Sequence, residues 1–534
     1  MTMARIVLFS PTPPDLSAFG VRSLQASLKA AGHDVRLVLF PGSIGLSQED
    51  GSYVYRYADT VIDQALELAA GADVVGVSFF TNYFDRAVQL TAAVRERLGI
   101  PVVWGGVHAT VRPEEALDHA DFVCRGEGEA ALDRLARELA TGRPADAIPG
   151  VWTLRDRAVV DNGLAPLAPD LDALPFFDFS GQDQFVMAPE RGRIVPLDAE
   201  ALRLALPRLP HWDGRLVTAY RTMTDRGCPH GCAYCNVPTV KALFRGGGVP
   251  YFRHRGVPHV MAELRGIIAR YPFIEAIQLF DDTFFSRRLD WLREFAAAYK
   301  ADIGLPLYCQ ASPTTLDAEK LDVLIEAGLC YVEMGIQTGS PRMREIFRRP
   351  EDDDAVLAGA NLLHSRRDKL LPPDYHVIID APWETEEDLL ATVRLLARLP
   401  KPFGLAIASL VYFPETELYR RAKAEGRIHH EETEIYRRPF YLRPQRSYAA
   451  FMLYLLTFQR IPAGGYAFLL RPGTVAWCSR HVPPAVYKLG YALGEVARLM
   501  AKGATALSRG DFGRIAAFVR RTLRHDPTVA GRKG

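Results

Sequence analysis

The sequence predicts an α/β chain: an amino-terminal doubly wound parallel sheet, then a partial (β/α)6 barrel, then a mainly helical C-terminal region. Three observations carry this reading. Residues 1–145 alternate short apolar runs with amphipathic segments. A second series of the same kind fills residues 216–425. Residues 426–534 lose the strand signals and become rich in Tyr, Phe and Arg. A length of 534 residues is too great for one core, which fits several domains.

In residues 1–145 the runs 5–11, 34–40, 73–79, 101–106 and 121–129 each carry a short apolar stretch and read as buried parallel strands. The segments 17–31, 57–70, 84–98 and 129–141 between them have helical periodicity. Such βα alternation gives a parallel sheet covered on both sides, whose ligands bind beyond the carboxyl ends of the strands. The residues there are Ser10–Pro14, Ser78–Thr81, Gly105–His108 and Gly126–Gly128. Residues 146–215 are rich in proline and read as a linker that partly packs on its neighbours.

The second series opens with "LVTAYRTMTDRG" (216–227) and continues with strands at 274–282, 306–312, 331–339, 375–382 and 404–414. Helical periodicity falls between them, as at 317–328 and 385–399. Residues 426–534 read as a helical cap that ends in the basic segment 513–525. Its aromatic and basic residues suit either a solvated cap or contact with a large or lipid-like substrate.

Bulk properties exclude several classes. A net charge of +1 gives no global electrostatic case for nucleic acid. The opening "MTMARIVLFSPTPP" runs straight into a strand and does not read as a signal peptide. The apolar run 448–458 is about half of what a bilayer span needs, so membrane contact would be peripheral. Seven cysteines, three of them clustered, are not a secreted disulfide framework. The expectation is a cytoplasmic protein with reduced thiols.

The cluster is "DRGCPHGCAYCNVP" (225–238), with Cys228, Cys232 and Cys235 in C-x3-C-x2-C spacing. Three thiolates on a short loop can hold three irons of a cubane [4Fe–4S] cluster and leave the fourth iron open to a ligand. A structural zinc site would need a fourth ligand, and His230, inside the loop, is badly placed to supply it. With Tyr234 before the last cysteine, at the start of a βα series, the stretch resembles the radical S-adenosylmethionine enzymes. That resemblance implies an open iron that chelates S-adenosylmethionine. An external donor such as flavodoxin or ferredoxin would supply an electron, and a 5′-deoxyadenosyl radical would follow. It places Tyr234 beside adenine, Asp281 and Asp282 near the amino end of the methionine moiety, and Glu333 and Gln337 at ribose or carboxylate. Helix capping is the competing reading of Asp282 or Thr283, and of Glu384–Thr385 in "IIDAPWETEEDL" (378–389). That segment resembles the family's fifth-strand turn, with Asp380, Ala381 and Trp383 where relatives have a glycine-bearing pattern.

The first domain lacks G-x-G-x-x-G after its first strand. Its "GGVHAT" (105–110) and "RGEGE" (125–129) instead resemble the cobalamin-binding domain of the cobalamin-dependent radical enzymes. The resemblance implies cobalamin contacts from Ser78, Thr81, Gly105, Gly106, His108, Gly126 and Glu127, with small residues admitting the corrin and hydroxyls meeting its nucleotide tail. Relatives that ligate cobalt from the protein carry D-x-H-x-x-G in the first loop. Here Ser17 occupies the histidine position, so no protein histidine is expected on cobalt; Ser17 would instead cap the helix that follows. His108 fits a tail or loop contact better than a cobalt ligand.

The cofactor set implied is a [4Fe–4S] cluster, S-adenosylmethionine and cobalamin. The expected activity is methylation of an unactivated carbon of a small-molecule or lipid-like substrate. Cyclisation, oxidation or ring rearrangement with the same cofactors stays open. So do a radical enzyme with a non-binding scaffold domain and a non-catalytic corrinoid or iron–sulfur carrier. A tRNA methylthiotransferase would need three cysteines in the leading domain, where only Cys124 occurs. Cys124 and Cys478 read as structural, and Cys330 as a small apolar residue. Cys309, near a strand end, is the one further cysteine weighed for catalysis.

Overall fold

The computed structural model describes all residues except 1–2, 13–15, 42–43, 48–52, 189–191, 438–446, 460 and 509–534. It divides into two units. One comprises Met1–Gln310, Glu319–Cys330 and Tyr412–Arg438; the other comprises Ala311–Ala318, Tyr331–Val411 and Pro439–Gly534.

The apolar runs of the amino-terminal region form the parallel strands Arg5–Pro11, Asp34–Phe40, Val74–Ser78, Val102–Gly105 and Phe122–Cys124. The second strand lies outside the first, and the third, fourth and fifth follow on the other side. The chain therefore reverses direction between Arg5–Pro11 and Val74–Ser78, the doubly wound order expected. The helices Phe19–Ala30, Asp59–Ala69, Phe84–Leu98 and Glu129–Ala140 cover its faces. The core includes Phe9, Phe40, Val75, Val77 and Trp104. Trp104 is wholly buried, and its indole N–H donates to Thr91 Oγ1 at 2.7 Å, so its one polar group is satisfied.

Residues 146–215 do more than link. Val151–Arg155 and Ala158–Val160 form a hairpin that pairs antiparallel with Phe122–Cys124. Gln184–Ala188 joins the opposite edge, parallel to Asp34–Phe40, with Arg193–Pro196 outside it. The sheet thus has nine strands rather than five. The sequence hides these additions because they are runs of only three to five residues set among prolines and turn residues, too short to show a clear strand period.

The rest of the first unit holds the first half of the barrel. Leu216–Thr222 pairs parallel with Ala276–Leu279, which pairs parallel with Leu307–Ala311. Arg208–Pro210 adds an antiparallel edge. The second unit holds residues 331–337 of the strand Leu329–Gln337, with Asp374–Ile379 and Gly404–Ser409, paired in parallel in that order. These are the six strands expected of the partial barrel. Tyr448–Leu456, the longest apolar run, is a short helix with most of its side chains buried, and Ala463–Leu469, Pro472–His481 and Pro484–Ser508 follow it. Pro13 and Pro14 of the first loop, and the basic segment 513–525, lie outside the described residues. Among the described residues no helix is long and apolar enough to cross a membrane.

Candidate active site

The cysteine loop leaves the barrel after Leu216–Thr222 and is anchored before it begins. Asp281, at the end of the next strand and wholly buried, accepts from the backbone N–H groups of Thr224 (2.6 Å) and Asp225 (2.8 Å) and from Thr224 Oγ1 (2.9 Å). A carboxylate committed to two backbone donors and a hydroxyl is a structural clamp. The structure therefore gives Asp281 a task that "LFDDTFF" did not suggest. Asp282 is the freer of the pair. Although Asp282 is exposed at the turn, the protein packed around its carboxyl, with the Asp281 charge adding, pushes it up to about 6, and its charge reaches Cys228 and Cys235. Neither Asp282 nor Thr283 caps a helix with its side chain, since the short turn Phe284–Ser286 has no such bond at its start.

Cys228 and Cys232 are buried and Cys235 is half-buried. The Cys235 N–H donates to Cys232 O at 3.1 Å, and Cys235 Sγ caps the helix Asn236–Leu243 by accepting from Val237 N at 3.4 Å. Burial pushes the Cys228 thiol up to about 12 and the Cys235 thiol up to about 11, and each feels the charge of neighbouring cysteines. Among the described residues no three His, Cys, Asp or Glu side chains already converge as a metal site. The three thiols nevertheless share one anchored loop within electrostatic reach of each other, so side-chain rotation is what would gather them on a cluster. Positive irons would also relieve the burial that disfavours their thiolates. Tyr234, between Cys232 and Cys235, is half-buried. Cys309 is 1% exposed, a core residue sealed from solvent.

The turn after Phe122–Cys124 reaches this loop through charge. Arg226 Nη1 lies 3.0 Å from Glu127 Oε1, and Arg226 Nη2 lies 2.6 Å from Glu129 Oε1. Glu127 also accepts from both Arg253 nitrogens (2.5 and 3.1 Å) and from Ala168 N (2.8 Å). Burial alone would raise the Glu127 pKa, but these hydrogen bonds and the Arg226 charge outweigh it and hold the carboxylate below its usual range. Glu127 is thus spent on two arginines. Gly126, with φ 105°, sits where a Cβ would stand 3.0 Å from Phe244 Cζ, just past the cysteine-capped helix. Leu418 N donates to Ala233 O at 3.1 Å and ties the loop from its other side.

The other predicted cobalamin residues separate into two sets. Ser78 and Gly105 pair side by side at their strand ends, and both are partly exposed. The direction a Cβ would take at Gly105 meets nothing within 4 Å, the open space a bound ring system needs. Gly106 has φ 90°, and a Cβ there would meet Phe79 O at 2.6 Å. Its carbonyl accepts from Thr110 Oγ1 at 2.8 Å. Thr81 and His108 turn inward instead. They share a 3.1 Å hydrogen bond, and His108 is fully enclosed among Phe79, Phe84 and Tyr436. Burial, then the Arg112 charge, pulls the His108 pKa down to about 3, so the ring is neutral. Ser17 is not the cap of the first helix; Ala18 holds that position, in left-handed conformation.

In the second unit Glu333, Gly335 and Gln337 lie on one face of their strand. Gln337 Nε2 lies 2.6 Å from where a Gly335 Cβ would be, so only glycine lets this side chain fold back. Gln337 (φ 69°) and Asp380 (φ 64°) take left-handed backbone at the ends of adjacent strands. Strain of this kind collects at functional sites. Asp380 occupies the place where glycine would carry that conformation at no cost. Asp380 N donates to Glu384 Oε2 at 2.9 Å, and Thr385 forms a capping box with Asp388, so capping accounts for Thr385 but not for Glu384.

Sequence reasoning missed Arg226, Arg253 and Glu129, the residues that join cysteine loop and glycine turn. Arg226 stands two positions before Cys228 and Glu129 two after Glu127, but an arginine in a loop carries no mark of its partner. A cleft of about 390 Å³ lined by Thr91, Arg95 and His119 contains none of these residues.

Residues 6–136 match the B12 binding domain family, and residues 224–396 match the radical SAM superfamily. The cofactor set of these two domains is cobalamin, S-adenosylmethionine and a [4Fe–4S] cluster. An uncharacterized methyltransferase of Pyrococcus horikoshii is 25% identical over 66% of this chain and 70% of its own length. The tryptophan 2-C-methyltransferase of Streptomyces laurentii is 27% identical over 50% of this chain and 47% of its own. The hopanoid C-3 methylase of Methylococcus capsulatus is 24% identical over 70% and 62%. The fold resembles the radical S-adenosylmethionine methyltransferase TsrM from Kitasatospora setae, solved with cobalamin and [4Fe–4S] cluster bound (TM-score 0.60, 19% identity, 79% of this chain and 78% of that one). It also resembles the cobalamin-dependent radical enzyme OxsB (TM-score 0.59, 14% identity, 80% and 61%).

Proposed function

We propose that this chain, a member of the cobalamin-dependent radical S-adenosylmethionine enzymes by its pairing of a B12-binding with a radical SAM domain, methylates an unactivated carbon of a small or lipid-like organic substrate. The observation that carries this reading is the bonding of Arg226 to Glu127 and Glu129. Through it the loop that would hold the cluster and the turn that would face cobalamin are bonded together, as a reaction shared between two cofactors requires. When bound, the cluster supplies one-electron reduction of S-adenosylmethionine, with flavodoxin or ferredoxin as outside donor, and cobalamin supplies a methyl carrier.

The residues of the chain then have distinct tasks. Cys228, Cys232 and Cys235 hold the cluster, and Tyr234 lies along adenine. Asp282 meets the amino group of S-adenosylmethionine, while Asp281 keeps the loop's entry strand in place. Glu333 and Gln337 serve ribose or carboxylate. Ser78, Gly105, Gly106 and Gly126 receive cobalamin, with Thr81 and His108 bracing the Gly106 turn from behind. Relatives named as methyltransferases support the transfer of a methyl group.

The test is anaerobic turnover with methyl-deuterated S-adenosylmethionine, a low-potential reductant and a panel of aromatic, amino-acid and polyisoprenoid substrates. The expected result is a deuterated methyl group on product carbon together with S-adenosylhomocysteine from the methyl donor and 5′-deoxyadenosine carrying the abstracted hydrogen. Product that is cyclised or oxidised, with 5′-deoxyadenosine but no label, would replace methylation by the alternative chemistry.

A further inference from the structure

The last helix of the described chain has an apolar face with no partner among the described residues. Within Pro484–Ser508, Val486, Leu489, Leu493, Val496 and Met500 recur at steps of three and four residues, which puts them on one narrow stripe. All five are exposed, from 52% at Val486 to 70% at Met500. The helix already has a packed side: Tyr487 and Tyr491 are buried against Phe451 and Tyr454 of Tyr448–Leu456. The stripe is therefore a second apolar face, and on the preceding helices Trp477 and Phe468 are likewise more than half exposed. Scattered exposed apolar residues need no explanation, but an ordered row of them does.

Charge singles out one occupant. Residues 447–534 contain thirteen Lys or Arg and three Asp or Glu, in a chain whose net charge is only +1. The preceding residues are accordingly acidic. Arg471, Arg480 and Lys488 are exposed on the helices that carry the apolar residues. A row of aliphatic side chains, exposed aromatics and an excess of basic charge is what an anionic lipid surface recognises. A second copy would bring the same excess of positive charge to the contact and be repelled by it.

We infer that residues 463–508 dock the protein on an anionic membrane surface through the stripe Val486, Leu489, Leu493, Val496 and Met500. The contact is peripheral, because no described helix is apolar and long enough to span a bilayer. It is independent of the methylation reading, since it uses no residue assigned to a cofactor.

The experiment is cosedimentation of the full-length protein with sucrose-loaded vesicles, of phosphatidylcholine alone or mixed equally with phosphatidylglycerol. The expected result is binding to the mixed vesicles only, weakened by salt as screening requires. Replacing Leu489 and Leu493 by Glu should weaken it at least about tenfold, and Arg480→Glu with Lys488→Glu should do likewise. Circular dichroism of each variant checks that it remains folded. No binding to either vesicle overturns the proposal. So does a concentration-dependent dimer in sedimentation velocity that Leu489→Glu abolishes, which would show that a second copy covers the stripe.

Discussion

Arg226 Nη1 lies 3.0 Å from Glu127 Oε1, so the residue two before the first cluster cysteine is bonded to the turn after the fifth parallel strand. The guanidinium is largely buried and held by Glu129 as well. Replacing it by methionine keeps its stem but leaves two carboxylates short of a cation. A loss of about 2 kcal/mol in unfolding free energy is expected, below the range for fully buried pairs because Arg226 is partly solvated. Urea denaturation of the cofactor-free protein measures it. Unchanged stability would mean that the pair does not hold the two segments together.

Cys228→Ala, Cys232→Ala and Cys235→Ala should each abolish the cluster. The parent protein, reconstituted anaerobically, should take up about four irons and four sulfides per chain. Cys309→Ala and Cys330→Ala should retain the iron, because both thiols are buried in the core. Iron and sulfide analysis decides this; stoichiometric zinc in place of iron would refute the assignment of the trio.

The pattern of what the sequence disclosed follows from the physics. The parallel strands were legible, because buried strands carry apolar runs between helical segments, and the radical SAM domain was legible in the spacing of its cysteine loop. The four strands that 146–215 adds to the first sheet were not, because runs of three to five residues among prolines and turns look like loop. The glycine turns were found at 105–106 and 126, but not which neighbours face inward. His108 reads as a rim residue in sequence, and only the packing of Phe79, Phe84 and Tyr436 around it shows that it is enclosed. Asp281 and Asp282 are adjacent in sequence, yet one is a clamp and the other is not. That difference is made by Thr224 and Asp225, more than fifty residues away.

Glu384 should give the protein a pH-dependent stability. Burial, with the charges of Asp380 and Asp388 adding, pushes its carboxyl up from 4.5 to about 8. The folded chain therefore keeps a proton that the unfolded chain releases. The stability from this group is fully present below about pH 4.5, falls as pH rises, and is gone above about pH 8. Glu384→Gln should remove that downward slope, read as unfolding midpoints in urea across the window. A parallel slope in parent and variant would refute the shift.

No protein histidine should bind cobalt. By its resemblance to cobalamin-binding domains the first loop has Ser17 where relatives that ligate cobalt carry histidine, and the neutral His108 ring is enclosed and bonded to Thr81. Electron paramagnetic resonance of the cob(II)alamin form should show no nitrogen splitting from a protein histidine, and His108→Ala should leave the spectrum unchanged. Splitting that disappears with His108→Ala would contradict the assignment.

Two adjacent glycines separate folding from cobalamin binding. Gly106 has φ 90°, and a Cβ there would stand 2.6 Å from Phe79 O, a backbone atom that cannot swing away. Gly106→Ala should therefore cost about 3 kcal/mol of stability, whatever ligand is bound. Gly105 closes the neighbouring strand, and its Cβ direction meets nothing within 4 Å. Gly105→Val should fold with stability changed by no more than about 0.5 kcal/mol, since valine suits a strand and meets no neighbour. It should nevertheless lower cobalamin affinity at least about tenfold, because its methyl groups fill the space the ligand would take. Urea denaturation without ligand and absorbance titration with hydroxocobalamin measure the two effects separately. If Gly105→Val binds cobalamin as tightly as the parent, the ligand does not lie over Gly105, and the first domain is the scaffold of the alternative reading.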